Sequence, residues 1–192
     1  MAARYSSKPS MSPTASGGQA RAPSTHSGFF DVPTHMDVAG QSVLVRPFQL
    51  VVWVSIQIRG RLSPRFPAIL DTGFSLNFAM QEEHLRSWTD LSPESLRVIG
   101  RSRINQHELR LYEASVVVHP NAPGQRDVFR GGEPYQLSLR EGIIVYPRGN
   151  PLGPRLPLLG LRALAENNLE TVIDGQRREL TIRRKRRLFR GW

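Results

Sequence analysis

The chain has 192 residues, and its 26 Lys and Arg against 16 Asp and Glu give a formal net charge of +10 at pH 7. It has no cysteine, which excludes disulfides and thiolate metal sites, and no apolar run approaches the ~18 residues that a membrane-spanning helix needs. The length suffices for one domain with its own core and terminal tails, and 16 Gly and 15 Pro residues indicate a loop-rich, mainly β protein.

The first 42 residues differ in composition from those that follow. They are rich in Ser, Thr, Pro, Gly and Ala, and the first acidic residue is Asp31. Such a segment buries too little apolar surface to offset the entropy lost on ordering, so we predict that residues 1–42 are disordered. We see no signal-peptide pattern and expect a cytoplasmic protein. An organellar transit peptide is the alternative, because the segment has Arg and Ser and few acids.

One folded domain is predicted over residues 43–183. Residues 48–58 are rich in β-branched and aromatic side chains. Their later part alternates between apolar Val54, Ile56 and Ile58 and polar neighbours, which predicts a half-buried strand. Residues 60–64 then turn the chain, and residues 65–70 return as a second strand.

The rest of the domain follows the same mainly β pattern. Short helices are predicted at residues 81–88, where acids occupy the first turn, and at residues 161–167, and a capped turn is predicted at residues 92–94. Strands are predicted at residues 97–105, 108–119, 135–139, 142–146, 171–176 and 178–182. The last two form a hairpin, since Asp174-Gly175 is a favoured turn sequence.

A carboxylate stands at the end of a buried-looking strand. The apolar residues Ala68-Ile69-Leu70 run into Asp71-Thr72-Gly73, and a second apolar-rich segment leaves it. An ionised carboxylate is costly there unless another group compensates it. Perturbed carboxylates in such places are often functional, so this stretch is the candidate site.

These residues resemble the catalytic loop of the retropepsin-like aspartic proteases, the single-domain type found in retroviruses. A second family feature is matched at residues 156–161, where Leu158-Leu159-Gly160 resembles the apolar-apolar-Gly segment that lies under the catalytic loop and precedes the one helix. The resemblance covers residues 43–183 and implies a small closed β-barrel with one short C-terminal helix. The chain departs from the family at Phe74, where Ala, Ser or Thr is usual, and Phe offers the carboxylate no hydroxyl.

The resemblance implies an aspartic endopeptidase, which needs two carboxylates close enough to share one proton. The sequence has one Asp-Thr-Gly, so a homodimer is expected to bring Asp71 opposite Asp71 of a second subunit. Thr72 would brace the two loops by a hydrogen bond across the axis, and Gly73 would permit the tight turn. No cofactor is implied.

The expected substrate is an extended peptide or protein segment bound by strand addition. We expect its binding residues to include Phe74 and Leu159. Arg101 and Arg103 are expected to bind it too, from a flap hairpin over residues 100–108.

Two other functions stay open. The domain is alternatively a non-catalytic binding or dimerisation module that keeps the fold, or a scaffold for the basic tail at residues 184–192. That tail interleaves Arg and Lys with Phe189 and Trp192, a composition that suits nucleic acid or an anionic membrane surface, although a solvated tail or a localisation signal has the same composition. The five histidines have no metal-ligand spacing, so no metal site is predicted.

Overall fold

A computed structural model of the chain describes residues 24–104, 106–122, 124–127 and 133–185. It contains helices α1 (Glu82–Thr89) and α2 (Leu161–Glu166) and one 3-10 turn, Pro93–Ser95. The strands are β1 (Ser24–Gly28), β2 (Thr34–Val38), β3 (Gln41–Val45), β4 (Val51–Ile58), β5 (Arg61–Leu62), β6 (Phe66–Asp71), β7 (Phe78–Gln81), β8 (Val98–Ile104), β9 (His107–Tyr112), β10 (Ser115–His119), β11 (Tyr135–Leu137), β12 (Ile143–Tyr146), β13 (Leu158–Gly160), β14 (Leu169–Asp174) and β15 (Glu179–Arg184).

Most strands belong to one sheet with the order β14-β15-β1-β4-β6-β13-β7-β12-β9-β8, while β2 and β3 form a separate hairpin. The mainly β class is confirmed, with 48% strand and 11% helix, but no closed barrel is found among the described residues. The sheet forks at β4. One edge of β4 pairs with β6 and β5, and the other is divided between β1 at Val51 and β10 from Trp53 onward. Because two strands share this edge of β4, the sheet branches there and does not close on itself within the described residues.

The strand β4 is more deeply buried than its alternating sequence predicts. All residues from Val51 to Ile56 are buried, including the polar Ser55. The prediction of a half-buried strand over residues 54–58 was therefore wrong at Ser55, whereas Gln57 is partly buried. Ser55 can lie in the core because His119 of β10, whose Nε2 lies 3.0 Å from Ser55 Oγ, satisfies its hydroxyl.

Ordered structure begins earlier than we predicted, because β1 and β2 lie within residues 24–42. Composition alone predicted disorder there, but the partner of β1 lies at the other end of the chain. Ser24 to Gly28 pair antiparallel with Arg183 to Glu179 of β15, so this N-terminal strand joins the C-terminal hairpin to the rest of the sheet. Residues 1–23, and residues 186–192 of the predicted basic tail, lie outside the described residues.

Both predicted helices are confirmed, and α2 is the short C-terminal helix that was expected. The long strand predicted at residues 108–119 is instead two strands, β9 and β10, because β9 pairs with β8 and β12 whereas β10 pairs with β4 and β11. Within the described ranges, no helix has the length and apolar character needed to cross a membrane.

Candidate active site

The Asp71 loop (residues 71–76) connects β6 to β7, and a third strand lies between these two. The inserted strand β13 pairs parallel with β6, where Gly160 is opposite Asp71, and antiparallel with β7, where Leu159 is opposite Phe78. β6 is buried from Phe66 to Leu70, so the apolar run before Asp71 fixes the point at which the loop leaves the core.

The loop presents its carboxylate towards solvent. Asp71 is partly exposed, and Thr72 and Gly73 are exposed. Asp71 Oδ1 accepts a hydrogen bond of 2.8 Å from the Gly73 backbone N–H, and the Phe74 N–H donates to the Asp71 carbonyl at 3.3 Å. These two bonds shape a tight turn and orient the carboxylate, while its other oxygen makes no hydrogen bond to the described residues.

Gly160 lies directly under the loop, as the apolar-apolar-Gly pattern predicts. Its N–H donates to the Asn77 carbonyl at 3.0 Å. A β-carbon at this position would lie 2.0 Å from the Leu76 carbonyl oxygen and 2.8 Å from that of Phe74, so no other residue fits without displacing the loop backbone. Leu159, which we expected to bind substrate, is 0% exposed. Its buried side chain supports the loop and has no surface to offer a peptide.

Phe74 packs into an apolar cluster beside the loop, which we call the loop cluster. Its partly buried members include Phe74 and Leu76 from the loop and Ile104 and Leu111 from the β8–β9 hairpin, and its buried members are Ala79, Leu109, Ile144 and Tyr146. The hairpin that was predicted as a flap therefore shares an apolar cluster with the Asp71 loop.

Arg101 and Arg103 do not lie on that inner side of the hairpin. Both are exposed, whereas the alternate residues Ser102 and Ile104 are partly buried, so the two arginines lie on the outer face of β8. Arg101 Nη1 is 2.5 Å from Glu108 Oε1 on β9. The contact of these arginines with substrate stays a prediction. Neither arginine belongs to the loop cluster, which packs beside the Asp71 loop.

Sequence reasoning missed Asn77, the first residue after the loop. Its side chain is 2% exposed, Nδ2 lies 3.5 Å from Glu166 Oε2 at the end of α2, and Oδ1 has no hydrogen-bond partner among the described residues. A buried amide with an unused acceptor is costly. The one signal in the sequence was an Asn between the apolar residues Leu76 and Phe78.

Away from the loop, His119 is buried and His84 is partly buried. The pKa of His119 is lowered from 6.5 to about 4, chiefly by burial and in part by the positive charge of Arg65. Burial also lowers the pKa of His84 to about 4, and the positive charge of Arg155 contributes, whereas Glu83 opposes the shift. The His84 ring stacks on Trp88 with the ring centroids 4.1 Å apart. In the part of the chain that the structure describes, no group of three His, Asp or Glu residues is arranged to hold a metal ion.

Comparison of the chain with protein-family models, with curated proteins and with solved structures found no significant match.

Proposed function

We propose that this protein is an aspartic endopeptidase of retropepsin type, active as a homodimer. The observation that carries the proposal is the Asp71 loop, a partly exposed Asp-Thr-Gly turn held over Leu159-Gly160 with no space for a β-carbon at Gly160. This support gives the carboxylate a fixed position at the protein surface. A fixed and accessible carboxylate is what an acid–base group requires.

Each subunit supplies one Asp71, and a two-fold axis through the loops brings the two together. Two carboxylates so close share one proton, since both cannot be ionised at low cost. The ionised one takes a proton from a bound water as the water oxygen attacks the scissile carbonyl carbon. The protonated one donates to the carbonyl oxygen. A proton then passes to the amide nitrogen, the C–N bond breaks, and an acid and an amine leave.

The first test replaces Asp71 with Asn. The amide has the same shape and its Oδ1 can still accept from the Gly73 N–H, so folding should be retained, but it cannot ionise. We expect cleavage of a peptide library to fall by about 10²-fold or more, the usual cost of losing an acid–base group. Asp90→Asn is the matched control, because Asp90 is an exposed aspartate beyond α1 in the left-handed conformation that Asn tolerates.

The second test addresses the dimer. With free subunit exchange, a mixed dimer of wild type and Asp71→Asn holds one ionisable partner and should be inactive. Activity should then fall towards the square of the wild-type fraction, and dilution below the dimer dissociation constant should lower specific activity. A wild-type protein that dimerises but cleaves no peptide at any pH would instead support the non-catalytic module, and activity from a proven monomer would overturn the two-subunit mechanism.

A further inference from the structure

The hairpin β8–β9 ends the large sheet, and its outer strand has one open edge. Among the described strands, β8 pairs with β9 alone. The backbone N–H and C=O groups on the other edge of β8 are therefore available to an added strand. Val98 and Ile99 at its start are 46% and 41% exposed and offer apolar contact beside that edge.

The outer face of this hairpin is cationic. Arg101 is directly opposite Arg110, and Arg103 is opposite Glu108, so three guanidinium groups surround one carboxylate. Glu108 makes its ion pair with Arg101. Like charges directly opposite each other destabilise a strand pair, so the pairing of Arg101 with Arg110 carries a cost. A negatively charged partner would offset it.

We propose that the open edge of β8 binds an extended acidic peptide segment by strand addition, with acidic side chains at alternate positions beside Arg101 and Arg103. Residues two apart on a strand are about 6.8 Å apart on one face. A peptide with acids at every second residue therefore presents one carboxylate to each arginine, while its backbone pairs with the edge of β8.

The charge pattern selects this partner over two others. A second copy of β8 would bring arginine against arginine, which disfavours edge-to-edge pairing of two identical strands. Single-stranded nucleic acid is usually held by stacking on aromatic side chains. Among the described residues, the exposed positions of the hairpin carry no Phe, Tyr or Trp, since Tyr112 is buried.

This binding site is separate from the proposed catalytic chemistry. Ile104 and Leu111 reach the loop cluster from the inner side of the hairpin, whereas Arg101, Arg103 and Arg110 are exposed. An added strand would extend the large sheet by one strand beyond β8. It would do so without touching Asp71, so the binding is expected whether or not the protein cleaves peptides.

The test measures fluorescence anisotropy of a labelled eight-residue peptide that alternates Glu and Thr, added to the full chain carrying Asp71→Asn. We expect saturable binding that weakens with salt. Arg101→Gln with Arg103→Gln should weaken it about tenfold, because two exposed charge pairs are each worth a factor of about five at most. Glu108→Gln should tighten it two- to threefold, since it removes the carboxylate that competes for Arg101.

The controls separate strand addition from general attraction of anions. Arg59→Gln with Arg61→Gln removes two exposed arginines at the same spacing elsewhere and should change nothing. A peptide with every backbone N–H methylated, and one with Gln in place of Glu, should both fail to bind. Equal binding of the methylated peptide, tighter binding of a single-stranded oligonucleotide, or unchanged binding in the Arg101/Arg103 variant would each overturn the proposal.

Discussion

His119 should make the folded state sensitive to acid between about pH 6.5 and pH 4. Its ring is 3% exposed, and its pKa is about 4 in the folded protein, against about 6.5 in an unfolded chain. Between these two values the unfolded state binds more protons than the folded state. The free energy of unfolding therefore falls as the pH falls through this range, and the loss levels off below pH 4.

The magnitude follows from the two pKa values, which differ by about 2.5. One pKa unit corresponds to about 1.4 kcal/mol, so His119 alone should remove about 3 kcal/mol from the free energy of unfolding between pH 7 and pH 4. That is a large share of the ~5–15 kcal/mol typical of a domain.

Urea unfolding of wild type and His119→Gln at pH 7 and pH 4 measures this directly. Gln can keep a hydrogen bond to Ser55 but cannot ionise, so the variant should lose about 3 kcal/mol less than wild type over the same range. Carboxylates also titrate near pH 4 and affect both proteins, so the contribution of His119 is taken from the difference between wild type and His119→Gln. His107→Gln, at an exposed histidine, should follow wild type. Equal losses in wild type and His119→Gln would refute the argument.

The remaining predictions concern the support of the loop and the proposed dyad. Gly160→Ala should lower the free energy of unfolding by about 3 kcal/mol and reduce any cleavage, because the added β-carbon would lie 2.0 Å from the Leu76 carbonyl oxygen. Gly175→Ala, which meets no atom within 4 Å, should change neither property. Leu159→Ala should cost about 2–5 kcal/mol in urea unfolding, as for other fully buried leucines. A peptide analogue with a hydroxyl at the scissile position mimics the hydrated intermediate, and it should raise the melting temperature of wild type but not of Asp71→Asn.

Local sequence was enough to place the parts of the site that depend on neighbouring residues. The apolar run into Asp71 does form a buried strand. The position of Leu158-Leu159-Gly160 beneath the loop was expected from the family resemblance instead, because these residues are distant from the loop in the chain. The hairpin at Asp174-Gly175 also forms, although its turn is four residues long. Asp174 Oδ1 accepts from the N–H groups of Gln176 and Arg177, both at 3.0 Å, and Arg178 takes a left-handed conformation.

Features that depend on distant partners could not be predicted in this way. β1 has a composition typical of disorder and is ordered through pairing with β15, roughly 155 residues later in the chain. Ser55 has the position of a solvent-facing residue in an alternating strand, yet His119 covers it. The branching of the sheet at β4 could not be predicted for the same reason. No pattern within β4 reveals that its second edge is shared between β1 and β10, which lie far away in the chain.

The support beneath Asp71 exceeds what a purely structural aspartate requires. An aspartate that only closes a turn needs the single bond from Oδ1 to the N–H two residues later, and Asp174 makes such bonds in an ordinary surface hairpin. At Asp71 the chain also inserts β13 between β6 and β7, restricts position 160 to glycine, and buries Leu159 completely. These constraints fix the position of the loop backbone relative to β13, while the tip of the loop, Thr72 and Gly73, remains exposed. Rigid placement of an accessible carboxylate has little value for stability, whereas a two-fold dyad fails if either carboxylate shifts by about 1 Å. This difference is why we propose that the Asp71 carboxylate acts on a bound group and does more than shape a turn.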